Sequence, residues 1–148
     1  MSERFNTEVL IVGTGISGLL AAIKLSERYS VTILSKSSLS DCSTAWAQGG
    51  IAAVIDTKDN FNNHIKDTIN NGHEICNPKA VQQIIKQGRD SIELLLNHGV
   101  NFNKKGKELD QTLEGGHSHR RIIYHNDNTG EEIHSCLLYT SDAADEGL

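Results

Sequence analysis

The chain has 148 residues, with 14 Lys+Arg against 19 Asp+Glu, a net charge of −5, and a single Pro among 13 Gly. That length can bury a real core in one modest domain, and a composition 37% hydrophobic and 22% charged excludes collagen, coiled coil and extended disorder. Every basic residue lies at or before Arg121, so residues 1–121 sum to +1 while the last 27 carry six acids and sum to −6; a body so near neutral has no basic field with which to grip nucleic acid.

No stretch approaches the roughly 18 consecutive apolar residues of a membrane span. Met1-Ser2-Glu3-Arg4 leads into no apolar targeting core, so a cytoplasmic protein with no membrane partner is expected. Cys42, Cys76 and Cys136 are odd in number, far apart and never in Cys-x-x-Cys. Three reduced, buried thiols are expected, not a disulfide framework or a zinc knuckle.

Glu8-Val9-Leu10-Ile11-Val12 and Val31-Thr32-Ile33-Leu34 are short β-branched apolar runs that read as buried strands. Between them Leu19, Ala22, Ile23 and Ser26 form a helical stripe, and a β-α-β crossover makes the two strands parallel. Beyond a Ser-, Ala- and Gly-rich stretch, Phe61, Ile65, Thr68 and Ile69 mark a helix opened by Asp59 or Asn60 and closed near Gly72. A longer helix follows, capped by Asn77, with Pro78 in its first turn and Gly99 as its left-handed exit. Its apolar face is Val81, Ile84, Ile85, Gly88, Ile92, Leu95 and Leu96, where Gly88 marks either close packing or a kink. Arg121–His125 reads as a strand, and Thr129-Gly130-Glu131-Glu132 has the form of a capping box for a last helix.

The chemistry begins at Gly13-Thr14-Gly15-Ile16-Ser17-Gly18, a Gly-x-Gly-x-x-Gly directly after a strand and opening a helix. Gly13 permits the sharp turn, Gly15 lets the backbone approach a pyrophosphate, and Gly18 allows helix and strand to pack closely. Free N–H groups and the positive helix end then hold the diphosphate. A nicotinamide site expects an acid about 20 residues on, and Ser35-Lys36 stands there instead. The motif therefore points to a different dinucleotide, or else to a turn that is only structural.

Two further segments carry polar or small residues in quantity. Ser43-Thr44-Ala45-Trp46-Ala47-Gln48-Gly49-Gly50 suits backbone amides laid against a flat ligand, or a flexible linker. Glu114-Gly115-Gly116-His117-Ser118-His119-Arg120-Arg121 suits a cationic, hydrogen-bonding wall for a carboxylate substrate, or a solvated strand end. His117 and His119 would share a face if extended, yet no third ligand sits at a telling spacing, so no metal site is assigned. His64, His73, His98, His125 and His134 stand singly and are given no role.

Taken in order, Val9 to Leu19, Leu34-Ser35-Lys36, Ser43 to Val54 and Glu114 to Arg121 resemble the N-terminal part of the L-aspartate oxidase family. These are flavoproteins related to the flavin subunits of succinate dehydrogenase and fumarate reductase, and the resemblance covers residues 8 to about 134. It implies an α/β, Rossmann-like FAD-binding domain with a parallel sheet, of which residues 1–135 form the N-terminal portion. It further implies oxidation of L-aspartate to iminosuccinate, the first step of de novo NAD biosynthesis, with quinolinate synthase as the next enzyme. Oxygen, giving hydrogen peroxide, or fumarate would reoxidise the flavin.

Carried over by position within Gly13–Gly18, Thr14, Gly15, Ile16 and Ser17 contact the FAD diphosphate. Lys36 and Ser43, Thr44, Ala45, Trp46, Ala47, Gln48, Gly49 and Gly50 contact the rest of the cofactor. Glu114 orients the substrate by pairing its ammonium, with His117, His119, Arg120 or Arg121 nearby. The related dehydrogenases bear a flavin-linking His just ahead of Ala-Gln-Gly-Gly; Ser43 stands there, which implies noncovalent FAD. The family's general acid/base Arg and its capping domain belong to later regions. Residues 136–148 turn purely acidic and leave the family pattern, so they are expected to be a foreign or misread tail on an inactive fragment. Two alternatives stay open: a catalytically silent dinucleotide-binding module, and a flavoprotein of the succinate dehydrogenase or fumarate reductase type.

Overall fold

The computed structural model describes residues 6–145; the opening residues 1–5, read above for a targeting signal, and the tail residues 146–148 lie outside the described residues. The elements in order are β1 (Val9–Val12), α1 (Ile16–Ser26), β2 (Val31–Leu34), β3 (Ile51–Ala52), α2 (Phe61–Asn71), α3 (Pro78–Asn97), β4 (Lys104–Lys105), β5 (Glu108–Leu109), β6 (Gln111–Thr112), β7 (Ile122–Ile123) and α4 (Thr129–Asp145). They form two compact units. The first holds the chain up to Gln48 and again from Gly130, and the second holds Gly49–Thr129.

In the first unit β1 and β2 pair in parallel, from Val9 opposite Val31 to Val12 opposite Leu34, and α1 is the crossover between them. Leu19 and Ala22 of α1 are buried, while Ser26 at the end of the expected stripe is exposed. Side chains alternate along a strand, so covering the Ile11 face with α1 turns Leu10, Val12 and Leu34 to the other face. All three are exposed, Val12 at 77%. Helix α4 runs through Cys136 to Asp145 without a break and buries Ile133, His134 and Leu137. Its Leu138 lines a groove of about 600 Å³ with Leu19, Ile23, Val31 and Ile33. Thr129 is the first helical residue instead of the cap the sequence suggested, and its Oγ1 accepts from the His125 N–H at 2.9 Å.

In the second unit both helices start as their caps dictate. Asn60 accepts from the Asn63 N–H at 3.0 Å, and Asn77 accepts from the Lys79 and Ala80 N–H groups at 3.0 and 3.3 Å. Gly99 leaves α3 at φ +87°. The buried stripe of α3 is Ile85, Ile92 and Leu95, and Ile84, expected on it, lies off its edge at 69% exposure. Gly88 marks close packing, since a Cβ there would stand 3.5 Å from the Ala53 Cβ, and the helix is unbroken. Strands β3, β7 and β6 form an antiparallel sheet in that order, and β4 pairs with β5 as a hairpin. The strand expected over Arg121–His125 is reduced to Ile122–Ile123, both buried with Ala53, Val100 and Phe102. Cys42, Cys76 and Cys136 are thiols, half-buried where burial was expected. No helix among the described residues is long and apolar enough to cross a membrane.

Candidate functional site

In the first unit the glycine turn sits at the carboxyl end of β1, tied to β2 by a 2.9 Å bond from the Gly13 N–H to the Leu34 carbonyl. Gly13 lies at φ +116°, where a side chain would be strained. A Cβ on Gly18 would stand 2.1 Å from the Gly13 carbonyl oxygen and 3.5 Å from Ile11 Cγ2, so the close helix–strand contact excludes one. Gly15 is different. It caps α1 at φ −69°, ψ 173°, and a Cβ there would meet Thr44 Oγ1 alone, at 3.3 Å. Backbone conformation accounts for Gly13 and internal packing for Gly18, and neither explains the smallness of Gly15.

The amino end of α1 has no side-chain cap from Gly15 and no acid in its first turn. Thr44 Oγ1 accepts from the Ile16 N–H at 3.0 Å, which joins the Ser43–Gln48 segment to the turn. The same segment holds the start of α4: the Gly130 N–H donates to the Ala47 carbonyl at 2.8 Å, and a Cβ on Gly130 would overlap the Thr44 carbonyl. Trp46 stands 74% exposed, and Lys36 is exposed beyond β2. Gly50 belongs to the second unit, where a Cβ would lie 2.4 Å from the Ile123 carbonyl oxygen; sheet packing accounts for it, while Gly49 faces open space.

The Glu114–Arg121 segment of the second unit is built around a buried ion cluster. Arg121, expected beside a substrate carboxylate, is instead 0% exposed and engaged by two carboxylates of the chain. Its Nε and Nη2 donate to Asp59 Oδ2 and Oδ1 at 2.7 and 3.0 Å, and its Nη1 to Asp67 Oδ2 at 2.6 Å. A guanidinium offers planar paired donors that match a carboxylate edge, which is why Arg fills this place. Nη1 also lies 3.1 Å from His117 Nδ1, which accepts, leaving the His117 hydrogen on Nε2. Ser118 gives both its N–H and its O–H to Asp67 Oδ2, at 2.8 and 2.7 Å. Its hydroxyl hydrogen being so used, Ser118 Oγ accepts from His119 Nδ1 at 2.9 Å. Arg120 is exposed, with Nη1 3.4 Å from the Gln111 carbonyl. Glu114 is exposed and makes no ion pair among the described residues.

Electrostatics follow from this packing. Burial pushes Asp59 and Asp67 up, but for Asp59 the Arg121 hydrogen bonds and charge, and for Asp67 the Ser118 amide with Arg121, outweigh it and hold both below the usual carboxylate range. Burial, then the Arg121 charge, pushes His64 down; its ring lies 5.5 Å from that of His117 and its buried Nδ1 has no partner. A His depressed in the folded state stabilises above its unfolded value near 6.5 and loses that contribution as protons bind the unfolded chain below it. The thermal midpoint of the second unit should therefore fall first below pH about 6.5, and again below about 4 as the unfolded carboxylates protonate. His64→Gln should remove the first fall and keep the second. A midpoint flat from pH 7 to 5 in the wild-type chain would contradict this.

Sequence reasoning missed Asp59, which it read only as a cap, together with Asp67, Asn71, Ser118 and Gly130. The available signal was helical spacing: Asp67 and Asn71 are four apart, on one face of α2.

A model of the FAD binding domain family matches residues 8–145. The chain belongs to that family. Among similar proteins, the L-aspartate oxidase of Acinetobacter baylyi is 46% identical over 132 residues, 88% of this chain and 24% of the relative. That of Pseudomonas aeruginosa is 40% identical over 146 residues, 93% of this chain and 27% of the relative. The Mycobacterium smegmatis Sdh1 complex superposes with a TM-score of 0.85 at 30% identity, over 94% of this chain and 24% of that one. A quinol–fumarate reductase gives 0.86 at 25% identity, over 96% and 25%. The chain thus spans about a quarter of the length of the curated relatives it matches. FAD is the cofactor of this family, and the residues present fit it: a helix end with no acid in its first turn, and a glycine whose missing Cβ would meet only the Thr44 hydroxyl, are what a diphosphate needs.

Proposed function

We propose that the full-length protein carrying this sequence oxidises L-aspartate to iminosuccinate. Fumarate or oxygen is the acceptor, oxygen giving hydrogen peroxide, and the reaction opens NAD biosynthesis ahead of quinolinate synthase. The observation that carries the substrate reading is Glu114, an exposed carboxylate without an ion-pair partner among the described residues, in the same segment as an Arg121 engaged by Asp59 and Asp67. An amino acid brings an ammonium that such a carboxylate can pair, which succinate lacks. The 46% and 40% identities to L-aspartate oxidases support the same choice.

The residues proposed to hold the cofactor are Gly13–Gly18, Lys36 and Ser43–Gly50, with Ser43 in place of a flavin-linking His and binding therefore noncovalent. FAD, when bound, supplies the hydride acceptor. The chain's own share is to present backbone N–H groups to the diphosphate and to orient the substrate through Glu114 so that its Cα–H bond is aligned.

The test is peroxide formation by the full-length protein with L-aspartate, alongside succinate with a dye acceptor. Glu114→Ala should lower kcat/KM for aspartate about 10- to 100-fold, the worth of one charge-assisted bond, with flavin content unchanged. Turnover of succinate but not aspartate would transfer the protein to the dehydrogenase branch. A flavin spectrum of the 148-residue chain separates a cofactor-binding segment from a silent module.

A further inference from the structure

Glu114 opens a tight turn that α2 grips from one side. The His117 N–H donates to the Glu114 carbonyl at 3.2 Å, and Gly116, third in the turn, takes φ +84°, the left-handed conformation that type II turns require at that place. Two α2 residues one helical turn apart hold this loop. Asn71 Nδ2 donates to the Gly116 carbonyl at 2.8 Å, and its side chain fills the space a Cβ on Gly116 would enter, 2.7 Å away. Asp67 Oδ2 accepts the Ser118 N–H and O–H at 2.8 and 2.7 Å while also accepting from Arg121. The turn is thus pinned at its third residue and again just past its end, and the side chain of its first residue, Glu114, is exposed and in no ion pair among the described residues.

We infer that Asp67 and Asn71 are positioning residues for Glu114, fixing the backbone from which its carboxylate meets the substrate ammonium. Neither touches substrate. This rests on the substrate reading of Glu114 proposed above. The pattern explains why an exposed, glycine-paired loop needs three side-chain bonds to a helix: a carboxylate on a slack loop would sample many positions, and a misplacement near 1 Å costs on the order of 100-fold in rate. A carboxylate suits this place, since Asp67 Oδ2 alone receives three donors, the Ser118 N–H and O–H and Arg121 Nη1.

The inference is tested with Asp67→Asn and, because that change also disturbs the buried cluster, with Asn71→Ala, which leaves Arg121 and Asp59 intact. In the 148-residue chain, amide hydrogen exchange at Gly116–Ser118 should quicken about tenfold in each variant. In the full-length protein each should lower kcat/KM for L-aspartate about 10- to 100-fold, yet add nothing in a Glu114→Ala background. Unchanged exchange would remove the grip, and losses that add fully to that of Glu114→Ala would make both residues merely structural; either overturns the inference. Wild-type kinetics in Glu114→Ala alone would instead overturn the substrate reading, and the inference with it.

Discussion

Arg121→Met is expected to cost the Gly49–Thr129 unit about 3–5 kcal/mol, read as a lower urea midpoint at pH 7. Methionine replaces much of the volume, so the loss is electrostatic. The change strands the Asp59 and Asp67 carboxylates, whose side chains are 2% and 14% exposed, without the cation that offsets their desolvation. Their ionisation then opposes folding, so lowering the pH through the carboxylate range should restore stability to the variant, the reverse of the wild-type order. Arg121→Lys should fall between the two, because one ammonium cannot span the Asp59 edge and reach Asp67 together. Adding Asp59→Asn and Asp67→Asn to Arg121→Met should recover part of the loss, since a neutral polar site is less costly to bury than unpaired charge. A midpoint for Arg121→Met equal to wild type would show that water reaches the cluster freely.

Gly15→Val and Gly18→Ala should fail in opposite ways. At Gly18 the added carbon meets a backbone oxygen at 2.1 Å that cannot swing aside, so the first unit should lose about 1–3 kcal/mol or more before any cofactor is considered. At Gly15 the backbone conformation is one that valine adopts, and the neighbour is the movable Thr44 hydroxyl at 3.3 Å. Gly15→Val should therefore keep the thermal midpoint of the unliganded chain and abolish FAD retention in the full-length protein. Matched losses of stability in both variants, or flavin retained in Gly15→Val, would contradict the assignment of that position to the diphosphate.

What could be read in the sequence was what is local. The β1–α1–β2 crossover announces itself through runs, spacing and glycines within about 30 residues, the length of a βαβ unit. The helix caps at Asn60 and Asn77 are set by side chains three residues or fewer from the amides they serve. Arg121 was legible as a cation but not as a buried one, because its partners lie 62 and 54 residues earlier. Periodicity placed Ile84 on the apolar face, yet tertiary contacts centred that face on Ile85 and Ile92. His64 looked like a solitary polar residue on an amphipathic helix, and its burial follows from the cluster beside it. The Thr129 hydroxyl was read as a cap, and a competing amide at His125 took it.

The unit from Gly49 to Thr129 is an excursion out of the first unit, whose two stretches are stitched where the Gly130 N–H meets the Ala47 carbonyl. Tying together the ends of a flexible segment of roughly 80 residues takes about 4 kcal/mol of chain entropy, whereas a folded segment whose termini already lie close asks for far less. The inserted residues should thus collapse before α4 can dock, and the stitch should be the last native contact to appear as the chain refolds.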